Sequence, residues 1–155
     1  MANKLFSKPR IVKEKKYTSI SKHNAEFSTK YILFDPPNVT AFECAQGLVD
    51  GRLVYIHEKL ACMWGNEDIE EYVVLDDTLK KYFDDVRPKE GDDTLVKAKV
   101  GDIIIEYTHK SGSFSRYHYN VWFEKDGVYY YLYIRTSDGR KFKTLMEEFI
   151  EKSIY

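Results

Sequence analysis

The chain has 155 residues, of which 43% are hydrophobic and 32% are charged. This length and balance are typical of one globular domain and exclude a largely disordered chain, and the absence of an internal repeat excludes a solenoid. No apolar run approaches the roughly 20 residues that cross a bilayer, and residues 1–6 are not followed by the apolar stretch of a secretory signal. We therefore expect an intracellular, cytoplasmic protein with no membrane contact; secretion after removal of a leader is the alternative.

The net charge of −1 conceals an asymmetry along the chain. Residues 1–30 contain eight Lys or Arg and two Glu, a net charge of +6, so the remainder of the chain carries −7. Most of the acidic excess lies in residues 67–93. Because residues 1–29 also lack a sustained period of 2 or 3.6, we predict that they form an extended basic arm and that residues 30–155 form a single domain.

The first part of this domain begins with a short apolar run at residues 31–34, which predicts a buried strand that ends at Pro36-Pro37. Residues 39–49 have two interpretations. We favour a helix, because five small or apolar residues share one helical face: Ala41, Cys44, Ala45, Leu48 and Val49. The alternative is a strand, since Asp50-Gly51 is a favoured two-residue hairpin turn.

The middle of the chain is predicted to contain two strands and a helix. Alternating side chains predict a strand over Arg52–Lys59, and a second short strand is expected over Glu71–Leu75. Asp76 or Asp77 is then expected to cap a helix that ends before Pro88. Its apolar positions have helical spacing: Leu79, Tyr82, Phe83 and Val86.

The C-terminal part predicts four consecutive strands and a final helix. The strands are Leu95–Val100, Asp102–Thr108, Tyr117–Glu124 and Val128–Arg135. Asp126-Gly127 supplies the positive φ angles of a type I′ turn between the last two. The helical stripe comprises Phe142, Leu145, Met146, Phe149 and Ile150. We therefore predict an α+β fold, in which an antiparallel sheet with a C-terminal β-meander packs against two or three helices.

The Asp126-Gly127 turn predicts the register of the last hairpin, with Lys125 opposite Val128. One face of that hairpin is apolar and is expected to pack on the final helix: Tyr119, Val121, Phe123, Tyr130, Leu132 and Ile134. The other face is aromatic with polar tips: His118, Trp122, Tyr129, Tyr131, Tyr133 and Arg135. Aromatic side chains with polar groups are enriched in binding interfaces.

This aromatic face and the basic arm are the candidate partner-binding sites, and the arm residues are Lys13, Lys15, Lys16 and Tyr17. We expect a non-catalytic protein-binding or assembly module whose partner is another protein or a second copy of the chain. Three alternatives remain: a solvated tail with a covered sheet face, a small-ligand or catalytic pocket on the aromatic face, and nucleic-acid binding by the arm. The pocket would be lined by Trp122, Tyr131, Tyr133, His118 and Arg135.

No catalytic, cofactor-binding or metal-binding motif is recognisable. The chain lacks a nucleophile elbow, a P-loop and a dinucleotide-binding fingerprint, and its four histidines do not have metal-site spacing. His57 with Glu58, and His118 with Glu124, are pairs that a charged chain offers by chance. Cys44 and Cys62 form no CxxC motif, and a bridge between them is left open. We expect no catalytic residue, no metal and no cofactor.

Overall fold

The structure is a computed structural model of the 155-residue chain. It describes residues 12–17, 31–33, 39–62, 67–88, 95–111 and 117–136, together with Phe142, Met146 and Glu147. The described residues form eight strands and one helix, α1 (Asp77–Val86), which follows the fourth strand. The strands are β1 (Lys13–Tyr17), β2 (Val39–Val49), β3 (Arg52–Cys62), β4 (Glu67–Val74), β5 (Leu95–Val100), β6 (Ile103–Ser111), β7 (Tyr117–Lys125) and β8 (Val128–Thr136).

All eight strands belong to one antiparallel sheet, in the order β1-β2-β3-β4-β8-β7-β6-β5. Two groups of four consecutive strands lie side by side because β4 pairs with β8. The four strands predicted in residues 95–135 are present as β5–β8, and each pairs with the next. The predicted arm contains β1, which pairs with β2 and forms one end of the sheet.

The predicted α+β class with two or three helices is wrong, because the described residues form a mostly antiparallel β structure with α1 as their single helix. The largest difference is at residues 39–49, which form β2 and not a helix. Asp50 and Gly51 have φ angles of 50° and 74°, so the alternative hairpin turn is the one that forms. Backbone pairing with β1 on one side and β3 on the other stabilises β2. The buried Gln46 interrupts the apolar alternation that would have revealed this strand.

Helix α1 begins at its predicted cap. The Asp76 carboxylate accepts a hydrogen bond of 3.2 Å from the Leu79 amide, which confirms the cap at Asp76. Phe83 is buried against the sheet, whereas Tyr82 is 61% exposed and faces solvent. In the part of the chain that the structure describes, no helix has the length and hydropathy needed to cross a bilayer.

The inner face of the sheet carries the main hydrophobic core. The β7–β8 register is confirmed, with Lys125 opposite Val128. The six side chains predicted for the apolar face of this hairpin are all buried. Phe142 stacks on Tyr119 with ring centroids 3.8 Å apart, and Met146 is also buried in this core. The other positions of the predicted C-terminal helix lie outside the described residues.

Residues 31–33 also contribute to the core, although they do not form the predicted strand. Ile32 and Leu33 are buried in the main cluster. The Ile32 amide donates a hydrogen bond of 3.1 Å to the Tyr130 hydroxyl. This contact satisfies a polar group that would otherwise be buried without a partner.

The outer face of the sheet is the face on which α1 packs. A second, smaller core cluster forms there from Val74, Phe83, Trp122 and Tyr129. The sheet is therefore covered on its outer face where α1 lies, and this coverage decides which of the predicted site residues a partner can reach.

Candidate functional site

Helix α1 covers part of the outer face. The Phe83 ring lies 5.1 Å from the Tyr131 ring, measured between centroids, and the two are stacked. Trp122 and Tyr129 are buried in the same cluster, with 4% and 2% of their surface exposed. The other four predicted residues of the aromatic face are half-buried: His118, Tyr131, Tyr133 and Arg135. The structure thus separates the six predicted residues into a covered pair and an accessible group.

The accessible part of the outer face includes a strip of polar and aromatic side chains on β3, β4, β8 and β7. We call it the outer strip, and its members are His57, Asp68, Glu70, His118, Asn120, Tyr131, Tyr133 and Arg135. These eight side chains form four pairs, and each pair joins two neighbouring strands through a side-chain hydrogen bond. Its three members on β3 and β4, His57, Asp68 and Glu70, were not predicted, because they lie far from the last hairpin in sequence.

Two of the pairs join β7 and β8. His118 Nδ1 lies 2.6 Å from the Tyr133 hydroxyl, and the Tyr131 hydroxyl donates to Asn120 Oδ1 at 2.7 Å. Both are diagonal pairs, since Asn120 is the register partner of Tyr133. Diagonal neighbours on an antiparallel sheet are within reach of long and aromatic side chains.

The third pair joins β4 and β8. Asp68 and Arg135 are direct register partners, and Arg135 Nε donates to Asp68 Oδ2 at 2.8 Å, with Nη2 in contact with the same oxygen. Both side chains are more than a third exposed, so the pair contributes little to stability. Its main effect is to orient the guanidinium on the surface.

The fourth pair joins β3 and β4. His57 Nε2 lies 2.6 Å from Glu70 Oε1, and the imidazole stacks on Tyr72 with ring centroids 4.0 Å apart. Burial lowers the pKa of His57, and the hydrogen bond and charge of Glu70 partly oppose that shift. These pairs are not the histidine–carboxylate pairs noted in the sequence. Glu58 lies on the inner face, on the opposite side of the sheet from His57. His118 bonds to Tyr133 and not to Glu124.

Tyr72 and Tyr131 keep their hydroxyl protons at neutral pH. Burial, with a smaller contribution from Glu70, raises the pKa of Tyr72 and the pKa of Tyr131 to about 12. Both hydroxyls are therefore available as hydrogen-bond donors.

A shallow concavity of about 420 Å³ adjoins the outer strip. Ala41 and Ala61 supply small side chains at this place, and Asp68, Tyr133 and Arg135 lie along it. Trp122 and Tyr129 instead line a separate concavity of about 510 Å³, which also contains Arg87 and Ile104. Of the five residues predicted to line one small-ligand pocket, Tyr133 and Arg135 line the first concavity and Trp122 lines the second, whereas Tyr131 and His118 line neither.

The basic residues of the predicted arm lie on β1. Lys13, Lys15 and Lys16 are exposed, and Tyr17 is half-buried against the main core. Lys15 Nζ lies 5.0 Å from the centroid of the Tyr17 ring. Glu14 accepts a hydrogen bond of 2.8 Å from the Tyr55 hydroxyl on β3, across the intervening β2. These contacts attach this part of the arm to the sheet.

The structure does not join β1 and the outer strip into one surface. β1 is separated by β2, β3 and β4 from β8, which carries Tyr131, Tyr133 and Arg135, and this places the two strands about 19 Å apart at the usual strand spacing. Among the described strands, only β2 lies between β1 and β3, which carries His57. Lys13, Lys15 and Tyr17 share the side of the sheet that carries Cys44, whereas Lys16 lies on the outer side. The described residues therefore present two candidate surfaces, the outer strip and β1.

The inner face contains an acidic feature that the sequence reading missed. Glu58 and Glu71 are register partners on β3 and β4, and both are fully buried. Cys44, on β2, lies opposite Glu58 and is a free thiol. Burial raises the pKa of this thiol, and the two carboxyl groups raise it further. The sequence does contain a signal for the buried position of Glu58, because strand alternation places it on the same face as Val54 and Ile56.

The described residues were also compared with the requirements of a metal site. Within the described ranges, no group of three or more His, Cys, Asp or Glu is arranged to hold a metal ion. Comparison of the chain with family models, curated proteins and solved structures finds no match. The geometry of the outer strip and of β1 is therefore the basis for assigning a function.

Proposed function

We propose that this chain is a non-catalytic protein-binding module that recognises its partner through the outer strip. The observation that carries the proposal is the set of four cross-strand hydrogen bonds that orient the strip. Side chains that are oriented before binding lose less conformational entropy when the partner arrives. Tyr and Arg, which Tyr131, Tyr133 and Arg135 supply, are also the residue types that dominate binding energy in interfaces.

The charges of the strip indicate what kind of protein surface fits it. Asp68 is paired with Arg135, and Glu70 is hydrogen-bonded to His57, so the strip carries no large excess of either sign. A polar partner surface with few net charges matches this balance. The small side chains of Ala41 and Ala61 leave space beside the strip for one apolar side chain of the partner.

A small ligand in the concavity is the second candidate. The concavity brings Asp68, Glu70 and Arg135 together, which suits a polar molecule. Sites for small ligands usually enclose most of the ligand, however, and this one is shallow. A protein partner, which needs no enclosure, fits the same geometry better.

Site-specific photocrosslinking tests the proposal. A photoreactive phenylalanine analogue is placed at position 133, in the outer strip, or at position 82, the exposed site on α1. Both proteins are irradiated in an extract of the cells that make this chain. We expect one discrete protein adduct from position 133 that is absent from position 82.

Competition supplies the control for this experiment. Excess unlabelled wild-type chain should remove the adduct, whereas the Y133A/R135A variant should compete at least tenfold less well. Circular dichroism of each variant checks that the fold is kept. The same adducts from both positions, or equal competition by the double variant, would show that the outer strip does not select a protein partner. Competition by small molecules from a protein-free filtrate would favour the ligand alternative.

A further inference from the structure

We infer that β1 is a second binding site, at which an acidic extended segment of a protein partner adds a strand to the edge of the sheet. The inference adds to the proposed function the chemical character of one segment of the partner. It rests on the proposed function in one respect, that the partner is a protein. Strand addition is a common mode of peptide recognition, because the edge supplies backbone hydrogen bonds and the side chains supply selectivity.

The position of β1 provides the edge. It is the terminal strand of the sheet, and β2 is its pairing partner among the described strands. Alternate residues of a terminal strand direct their amide and carbonyl groups away from the sheet. Lys13, Glu14, Lys15 and Lys16 are all exposed, so side chains of an added strand have access to them.

The charge of β1 specifies an acidic occupant. Its five residues contain three lysines and one glutamate, a net charge of +2. β5, at the other end of the sheet, contains Lys97 and Lys99 and no acid, which is also +2. Edge pairing between copies of the chain would therefore place lysine-rich strands beside each other. Lysines at both edges oppose such self-pairing, and they favour a strand that carries carboxylates.

The alternation of β1 predicts the pattern of that strand. Lys13 and Lys15 lie on the inner side of the sheet and Lys16 on the outer side. Acidic residues are therefore expected on both faces of the added strand. Tyr17 is half-buried, so an apolar residue is expected opposite it. β1 is preferred to β5 because it belongs to the basic segment of the chain, whereas β5 follows the acidic segment.

A designed peptide tests this inference on the full chain. The probe is acetyl-Thr-Val-Glu-Glu-Thr-Glu-Thr-amide, which has glutamates on both faces of the strand and a valine for the position opposite Tyr17. Its binding is followed by amide NMR shifts and by hydrogen exchange. We expect shifts on β1 and slower exchange of alternate β1 amides, because new backbone hydrogen bonds form there. K13E/K16E should weaken binding at least tenfold, and K97E/K99E, at the opposite edge, should change it less than twofold.

Two further peptides separate strand addition from simple charge attraction. The probe sequence with lysine in place of each glutamate should not bind. The probe with N-methyl groups on two consecutive central residues should bind at least tenfold more weakly. The inference would be overturned if the N-methylated peptide bound as well as the probe, or if the probe did not bind. It would also be overturned if the outward-facing β1 amides were already protected from exchange in the uncomplexed protein. Y133A/R135A should bind the probe normally, so failure of the outer strip as a partner site remains distinguishable.

Discussion

The ring of Tyr55 lies directly over Gly47, its register partner on the neighbouring strand. A Cβ atom on residue 47 would come within 2.0 Å of Tyr55 Cε1. The glycine therefore allows the ring to cross β2 and its hydroxyl to reach Glu14 on β1. This contact ties the first three strands of the sheet together.

Gly47→Ala is therefore expected to destabilise the protein, although alanine is ordinarily the better strand residue. Displacing the Tyr55 ring should cost about 1–3 kcal/mol in the free energy of unfolding, measured by urea denaturation. In a Y55A background the clash is gone, and the same substitution should stabilise by about 0.5–1 kcal/mol. Equal effects of G47A in the two backgrounds would mean that the ring does not occupy this place.

His57 is expected to make stability depend on pH below neutrality. Its pKa in the folded protein is lower than the usual 6.5, mainly because the ring is buried. Between these two values the unfolded chain binds more protons than the folded one. The stability that the protein has while His57 is neutral is therefore fully present above pH 6.5. It is lost as the pH falls toward the lowered pKa of His57. Unfolding measured from pH 7 to pH 5 should show a shallower decline in H57Q than in the wild type.

The Glu70 partner can be tested separately by NMR titration of the His57 ring. Because the Glu70 charge and hydrogen bond raise the pKa of His57, E70Q should lower that pKa further. E124Q, which removes an acid on the same face that pairs with Lys80, should leave it unchanged. A rise of the His57 pKa in E70Q would contradict the assigned pairing.

The sequence predicted local features of this fold and missed those that depend on distant strands. The register of β7 and β8 was predicted because Asp126-Gly127 defines the turn and the side chains alternate. The pairs His57–Glu70 and Asp68–Arg135 were not, since each depends on the position of β4 between β3 and β8.

The same reasoning explains the errors in β2 and on the aromatic face. β2 resembled a helix because Gly47 and the buried Gln46 hide its alternation, and the glycine is explained by the Tyr55 ring of the neighbouring strand. Trp122 and Tyr129 were correctly placed on the aromatic face, but the packing of Phe83 over them is a tertiary contact. Sequence periodicity assigns a residue to a face and does not reveal what covers that face.

Cys44 is expected to be unreactive in the folded protein. Its pKa is raised by burial and by Glu58 and Glu71, so little thiolate is present at pH 8. In a C62S background, a thiol reagent such as dithionitrobenzoate should react only after denaturant is added. Reaction in native buffer at the rate of an exposed cysteine would contradict the burial of this thiol between β1 and β3.

The most direct test of the central claim is the affinity of the crosslinked partner, once purified, for single variants of the outer strip. Y133A and R135A should each weaken binding at least tenfold, or about 1.4 kcal/mol, measured by isothermal titration calorimetry. Y82A, which removes an exposed tyrosine of α1, should change the dissociation constant less than twofold. Wild-type affinity in both strip variants, with weakened binding in Y82A, would contradict the assignment of the outer strip as the partner-binding surface.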